Sequence, residues 1–249
     1  MFALCFAACS HPPVTDPLEC PAVDADVGGS GPVDSGASDS ADSSVPDSGD
    51  PDSADSGVDT GNALLPDLII VAADAAATVK VVDETIAPDA CPLLDGCVAT
   101  AGAHRFLKFS ATMANIGVGD LDVGSPEEDP EWFAWSECYQ HWEYLGGFET
   151  FRLRDPTGAV VAVQQKRAFC LMDDDDYLGV GGLPQTNCAH QGLTAGWADT
   201  YASGSDCQWI DVSGIEAGDY TLEIEANPAG SFLESDTEND IVSLPVTLP

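Results

Sequence analysis

Tyr139, His141 and Glu143 stand at alternate positions in the stretch Trp135-Ser136-Glu137-Cys138-Tyr139-Gln140-His141-Trp142-Glu143-Tyr144. Alternate side chains of a β-strand share one face, so a strand here would aim a phenol, an imidazole and a carboxylate at one spot. All three can bind a metal. A neutral imidazole suits copper, whereas a phenol and a carboxylate shift the preference toward harder ions such as iron or manganese. The plainer account of His141 is a packed, hydrogen-bonded side chain between Gln140 and Trp142. Asp173-Asp174-Asp175-Asp176 is a second cluster, read as a solvated loop or a cation site.

The elements that must position these residues belong to an unusually acidic chain. It has 249 residues, 43 Asp+Glu against 7 Lys+Arg, and a formal net charge of −36. So few cations exclude a nucleic-acid binder, which must neutralise phosphates. A solvated acidic surface is the plain reading of the charge, and a basic protein partner is compatible with it. Part of the excess lies in residues 21–62, which hold ten Asp, nine Ser and no Lys, Arg or Glu. That composition cannot offset its ordering entropy, so residues 10–62 are expected to form a disordered tether. Residues 63–249 are long enough for one sizeable core.

No run of 18 apolar residues is present, which excludes a membrane-spanning helix. Phe6-Ala7-Ala8-Cys9 has the form of a bacterial lipobox, with residues 1–9 as the end of a signal and Cys9 as the lipidated residue. The usual basic start is missing, so either the true start lies upstream or Cys9 is a chance cysteine. A lipid anchor, a flexible tether and a folded domain would make an exported cell-surface or periplasmic protein. Six cysteines follow the tether: Cys91, Cys97, Cys138, Cys170, Cys188 and Cys207. They form no CxxC pairs, and an even number in an exported domain reads as three disulfides, for which fifteen connectivities exist.

Secondary-structure signals are those of short strands. Leu64–Val71 opens with Pro66 and a β-branched run, and Thr78–Val82 is a second extended piece. Cys91–Cys97 reads as a loop. His104–Asn115 alternates as one strand, followed by a turn at Ile116–Asp120. Phe148–Leu153 and Ala159–Val163 flank Asp155-Pro156-Thr157-Gly158, a hairpin signature. Lys166–Leu171, Gln208–Val212, Tyr220–Ala226 and Ile241–Leu248 complete the extended set. No segment keeps a 3.6-residue period, so the expected fold is all-β: an antiparallel β-sandwich core with long loops, stapled by disulfides.

Several motifs occur together in a telling order. They are Leu65-Pro66-Asp67-Leu68, Cys91-x5-Cys97, Trp135 through Phe148, and Lys166-Arg167-Ala168-Phe169-Cys170-Leu171. Cys188, Asp199-Thr200-Tyr201, Asp206-Cys207-Gln208-Trp209-Ile210-Asp211, Gly218-Asp219-Tyr220 and Asn227-Pro228 continue the series. Glu234-Ser235-Asp236-x-x-Asn239-Asp240 ends it. In this order they resemble the catalytic domain of the lysyl oxidase family across residues 64–245.

The resemblance implies a copper amine oxidase. In that family a lysine joins an oxidised tyrosine to make a lysine tyrosylquinone, the electron sink for oxidising primary amines such as protein lysine side chains. Lys166 and Tyr201 match the cofactor precursors. The family has histidines where this chain has Tyr139, His141 and Glu143, and a further family histidine corresponds to Thr150. Only His141 remains, which puts copper binding and activity in doubt. The resemblance also implies a structural calcium site at Asp67, the Leu68 carbonyl, Glu234, Asp236, Asn239 and Asp240, where hard oxygen donors crowd as Ca²⁺ requires. A solvated acidic turn is the alternative. Vertebrate members carry two more cysteines, at positions held here by Asp176 and Trp197. Loss of that bridge as a unit implies Cys91–Cys138, Cys97–Cys207 and Cys170–Cys188, with Cys20 unpaired.

Two functional readings stand. One is an exported amine oxidase with an altered metal site. The other is a non-catalytic surface binding or adhesion module stabilised by calcium, since the opening Pro-Asp-Leu-Ile-Ile-Val and the closing motifs also resemble β-sandwich modules of bacterial adhesion-related proteins.

Overall fold

The computed structural model describes residues 64–167 and 169–249. Cys9, Cys20, the signal-like residues 1–9 and the tether 10–62 lie outside the described residues. In chain order the elements are β1 (Leu68–Ile70), α1 (Ala72–Thr78), β2 (Lys80–Ile86), α2 (Cys91–Leu94), β3 (Gly102–Lys108), β4 (Ala111–Asn115) and β5 (Leu121–Gly124). A single 3-10 turn, Pro130–Trp132, precedes β6 (Phe133–Ser136) and β7 (His141–Tyr144). The remainder are β8 (Glu149–Arg154), β9 (Val160–Gln165), β10 (Gln191–Leu193), β11 (Ala198–Tyr201), β12 (Trp209–Asp211), β13 (Gly218–Ala226) and β14 (Ile241–Leu248).

Every strand pair given by the ladders is antiparallel. The sheets run β14-β13-β8-β9, β1-β4-β11 and β12-β3-β2, with two-stranded pairs β10-β5 and β6-β7. β13 is the spine of the largest sheet. Its alternation buries Leu222, Ile224 and Ala226, and leaves Glu223 and Glu225 on the other face. There Glu223 pairs with Arg154 at 2.7 Å and Glu225 with Arg152. Leu222 and Ile224 meet Leu68, Ile70, Phe109, Met113 and Phe151 in one apolar core between the first two sheets. Phe109 stands edge-on to Phe151 with ring centres 4.9 Å apart. Each such fully buried side chain contributes about 1.5–3 kcal/mol. A smaller cluster of Ile86, Val98, Phe106 and Trp209 lies under the third sheet, beside Cys97 and Cys207.

Five local expectations need correcting. His104–Asn115 is not one strand: β3 and β4 belong to different sheets. At the corner the Ser110 N–H leaves the ladder and donates to Thr78 Oγ1 at 2.8 Å. Ala72–Thr78 is helical, as its alanines favour, and the Cys91–Cys97 loop contains α2. β9 ends at Gln165, the described residues of Lys166–Leu171 carry no strand, and Phe169 sits at φ 70, in the left-handed region. Trp135–Tyr144 is a hairpin whose turn places Gln140 at φ 56.

The structure pairs Cys91 with Cys138, Cys97 with Cys207 and Cys170 with Cys188.

Candidate functional site

The hairpin changes what Tyr139, His141 and Glu143 can do together. His141 and Glu143 lie on β7, but Tyr139 is in the turn, so strand alternation does not align all three. The Ser136 hydroxyl accepts from the Tyr139 N–H at 3.1 Å and fixes that turn. The Tyr139 ring stacks on His141 with centres 5.9 Å apart, and its hydroxyl donates to Asp206 at 3.2 Å. Burial and then the Asp206 carboxylate push the phenol well above its ordinary pKa, away from the phenolate a metal would want. His141 Nε2 accepts the Phe169 N–H at 2.8 Å, so its lone pair is engaged. Burial holds the His141 imidazole below its ordinary pKa, in the neutral form.

This donor set does not fit copper. Its one imidazole lone pair serves a backbone amide and its phenol serves a carboxylate. Among the described residues no group of three His, Cys, Asp or Glu is placed to hold a metal ion.

Lys166 and Tyr201, by contrast, come together. Lys166 follows β9 and is 4% exposed. Its Nζ lies 4.1 Å from the centre of the Tyr201 ring and 5.3 Å from that of Phe169, and it donates to the Arg167 carbonyl at 2.7 Å. Tyr201, on β11, is buried. Its hydroxyl is 2.7 Å from Asp199 Oδ2 and 3.0 Å from the Cys170 carbonyl. Burial and then Asp199 raise the Tyr201 pKa well above its usual range.

Two acids that carried no role in the sequence complete this chamber. Glu149 opens β8 directly across from Lys166, whose N–H donates to the Glu149 carbonyl at 3.0 Å. Directly opposed residues of an antiparallel pair share a face with Cβ atoms about 4.5–5.5 Å apart. The Glu149 carboxyl is fully buried, and neither oxygen has a hydrogen-bond partner among the described residues. Burial therefore pushes Glu149 up and Lys166 down, each opposed by the other's charge. Glu143 helps to hold the Lys166 charge. Asp199 is raised to about 6, chiefly by burial. It lies two residues before Tyr201 on β11, on the same face by alternation. A cleft of about 250 Å³ reaches Asp199 and Tyr201 past His141, Phe169 and Met172. A separate cleft of about 90 Å³, lined by Glu143, Tyr144 and Phe148, reaches Lys166.

The acids near the chain's end form a second cluster. Glu234 accepts from the Leu68 N–H at 2.7 Å and from Asn227 at 2.6 Å, and Asn239 donates to Asp67 at 2.8 Å. Asn239 Oδ1 and Asp240 Oδ1 are buried without a hydrogen-bond partner among the described residues. Asp240 is raised to about 6 by burial and by Glu234, Glu225, Asp67 and Asp236. Glu234 is raised by burial, with Asp67 and Asp236 adding to it. Two orphaned oxygens among mutually repelling carboxylates are what a hard cation would satisfy.

Asp173, within the acidic run, has a different role. It accepts from the Gln185, Thr186 and Thr194 amides and from the Thr194 hydroxyl, which occupies it as a loop brace.

The lysyl oxidase family model matches residues 77–248. The chain belongs to the lysyl oxidase family. It is 30% identical over 187 residues to lysyl oxidase homolog 2A of Danio rerio, covering 71% of this chain and 25% of that protein. It is 31% identical over 188 residues to lysyl oxidase homolog 2 of Gallus gallus, with 71% and 24% coverage. Against lysyl oxidase homolog 3 of Homo sapiens the identity is 30% over 183 residues, with 70% and 24% coverage. The chain thus spans about a quarter of the length of the curated relatives it matches.

Proposed function

We propose that this domain keeps the lysyl oxidase scaffold and its Lys–Tyr pair but does not sustain copper-dependent amine oxidation, and that it serves outside the cytoplasm as a calcium-braced binding module. One observation carries this reading: His141, the single imidazole at the family's copper position, spends its Nε2 lone pair on the Phe169 amide. A lipid on Cys9 and the Asp/Ser tether would hold the domain at a membrane surface. Among the described residues no helix is long and apolar enough to cross a membrane. The net charge of −36 suits a cationic polypeptide as partner.

The test uses the purified full chain after copper loading. Bound copper well below one per chain, no quinone absorbance and no peroxide from a primary amine are expected. Stoichiometric copper, with peroxide release abolished by Lys166→Ala or Tyr201→Phe, would overturn the reading. It would favour the second one, an amine oxidase with an altered metal site. The 4.1 Å approach of Lys166 to the Tyr201 ring is the observation on that side.

A further inference from the structure

Three of the chain's five tryptophans stand on or beside one hairpin and face solvent. Trp132 is 51% exposed, Trp135 42% and Trp142 36%. Folding covers most tryptophan surface, and a cluster of large apolar side chains left outside marks a contact site. We propose that the β6–β7 hairpin is a docking surface for an arginine-bearing basic polypeptide, and that the cleft beside Trp142 receives one arginine side chain. The inference deepens the binding-module reading and rests on it for the partner's positive charge. It does not depend on copper or on the Lys166 chamber. Trp142 stands between His141 and Glu143 on β7, so strand alternation turns it to the other face.

Trp135 and Trp142 are direct partners across the β6–β7 ladder, so their side chains share a face. Their rings meet edge to face, with centres 5.5 Å apart and planes at 67°. A cleft of about 280 Å³ opens beside them, lined by Pro126, Glu127, Trp142 and Ala189. Apolar walls with one carboxylate suit a side chain that has an aliphatic stem and a cationic head. Pockets for small ligands begin at about 300 Å³, so this cleft is of a size for a single side chain.

Charge selects the occupant. Residues 126–145 hold six acids, Glu127, Glu128, Asp129, Glu131, Glu137 and Glu143, and no Lys or Arg. Glu127, Glu131 and Glu137 are exposed. Such a face repels anionic surfaces. It draws a cation twice over, through the carboxylates and through the negative faces of the indoles. Arginine answers both features better than lysine. Its guanidinium is planar, stacks on aromatic rings, forks to a carboxylate through two N–H groups, and is more weakly hydrated than an ammonium.

The platform is built before a partner arrives. The Cys91–Cys138 bridge ties the hairpin turn to α2. Ser136 Oγ donates to Asp95 at 2.9 Å, and the buried Gln191 side chain donates to the Trp142 carbonyl at 2.8 Å. The Leu145 N–H donates to the Trp132 carbonyl at 2.8 Å. A surface held in this way loses little conformational freedom on binding.

Calorimetry and tryptophan fluorescence of the purified full chain, disulfides intact, test this with an arginine–glycine repeat peptide and a lysine–glycine repeat of equal length. The arginine peptide should bind, and the lysine peptide should bind roughly fivefold more weakly. Trp135→Ala and Trp142→Ala should each weaken the arginine peptide about tenfold, and Glu127→Gln about threefold. Leu183→Ala, at a side chain 78% exposed outside the hairpin, should change nothing. Should a Trp variant fail to accumulate, Glu127→Gln still reads the cleft from an exposed position. Equal affinity for the two peptides would overturn the arginine site and leave a partner chosen by charge alone. Undiminished binding by the Trp and Glu127 variants would overturn the hairpin as the site while the proposed function stands. Binding of neither peptide would overturn both the site and the cationic partner.

Discussion

In the chamber around Lys166 two buried carboxyls share a cation that the chain itself supplies. At the junction of β1 with the 234–240 loop, the charges acting on Asp240 are all carboxylates: Glu234, Glu225, Asp67 and Asp236. Burial raises the acids in both places. The difference lies in what relieves them. The first region contains Lys166, whereas the charges that raise Asp240 are carboxylates. An acidic cluster with its own lysine is thus a candidate for internal chemistry, and one without is a candidate for ligand binding.

Removing the internal cation should have the largest effect. Lys166→Met leaves Glu149 and Asp199 buried without it, and stability in urea should fall by about 3–5 kcal/mol. Adding Glu149→Gln should return a large share of that loss, since one buried carboxylate is then gone. A cost below about 1 kcal/mol for Lys166→Met would show that the chamber is wetter or looser than its burial indicates.

The external cation comes next. Calcium at about a hundred times its dissociation constant should stabilise the domain by about 2.7 kcal/mol, read as a rise in Tm that a chelator reverses. Asp240→Asn should abolish that rise. A Tm indifferent to calcium and chelator would make this cluster a solvated turn.

The pH dependence of the same cluster has a definite sign. Asp240 is raised to about 6 from its ordinary 3.8, so between those values the folded state binds more protons than the unfolded one. The calcium-free cluster therefore favours folding at low pH, and that contribution is lost as pH rises through about 6. The gain from calcium should accordingly be larger at pH 7 than at pH 5. An equal gain at both would remove Asp240 from the ligand set.

Asp173 gives the smallest effect and serves as the control. Its carboxylate is held below its ordinary pKa by the Thr194 hydroxyl and three amides, against a burial effect that raises it. Asp173→Asn keeps the shape and weakens those bonds, for a cost of about 1–2 kcal/mol at neutral pH that calcium does not alter. A calcium-dependent cost would place Asp173 in a cation site after all.

The contrast between regions also explains what the sequence could tell. Alternation located β13, whose one face is apolar and the other largely charged, and β14, where Val242, Leu244, Val246 and Leu248 alternate with Ser243, Pro245 and Thr247. The Asp155–Gly158 turn located the β8–β9 hairpin. That same hairpin hid Glu149. Counted from Asp155 and Ala159, which bond at 2.9 Å, the register would set Glu149 across from Gln165 and turn Lys166 to the opposite face. An irregularity between Leu153 and Arg154 shifts the ladder by one residue and brings Lys166 across from Glu149. No residue type announces that shift. Asp199 was legible in principle, since it stands two residues before Tyr201, but its role depends on the Met172 amide, which folding alone brings near. Tyr139 misled because a strand pattern continued through what is a turn. Helix Ala72–Thr78 escaped notice because seven residues make fewer than two full turns of periodicity to read.

The three disulfides set a timetable for a chain that emerges from its N-terminal end. Cys91 meets its partner after 47 residues, and Cys170 after 18. Cys97 waits 110 residues for Cys207. While it waits, Cys138 and Cys170 pass by as competing thiols, so an early bridge to either must be undone by exchange before Trp209 can settle on Phe106. The smaller apolar cluster therefore cannot be completed before Cys207 has emerged, and a wrong early bridge would delay it.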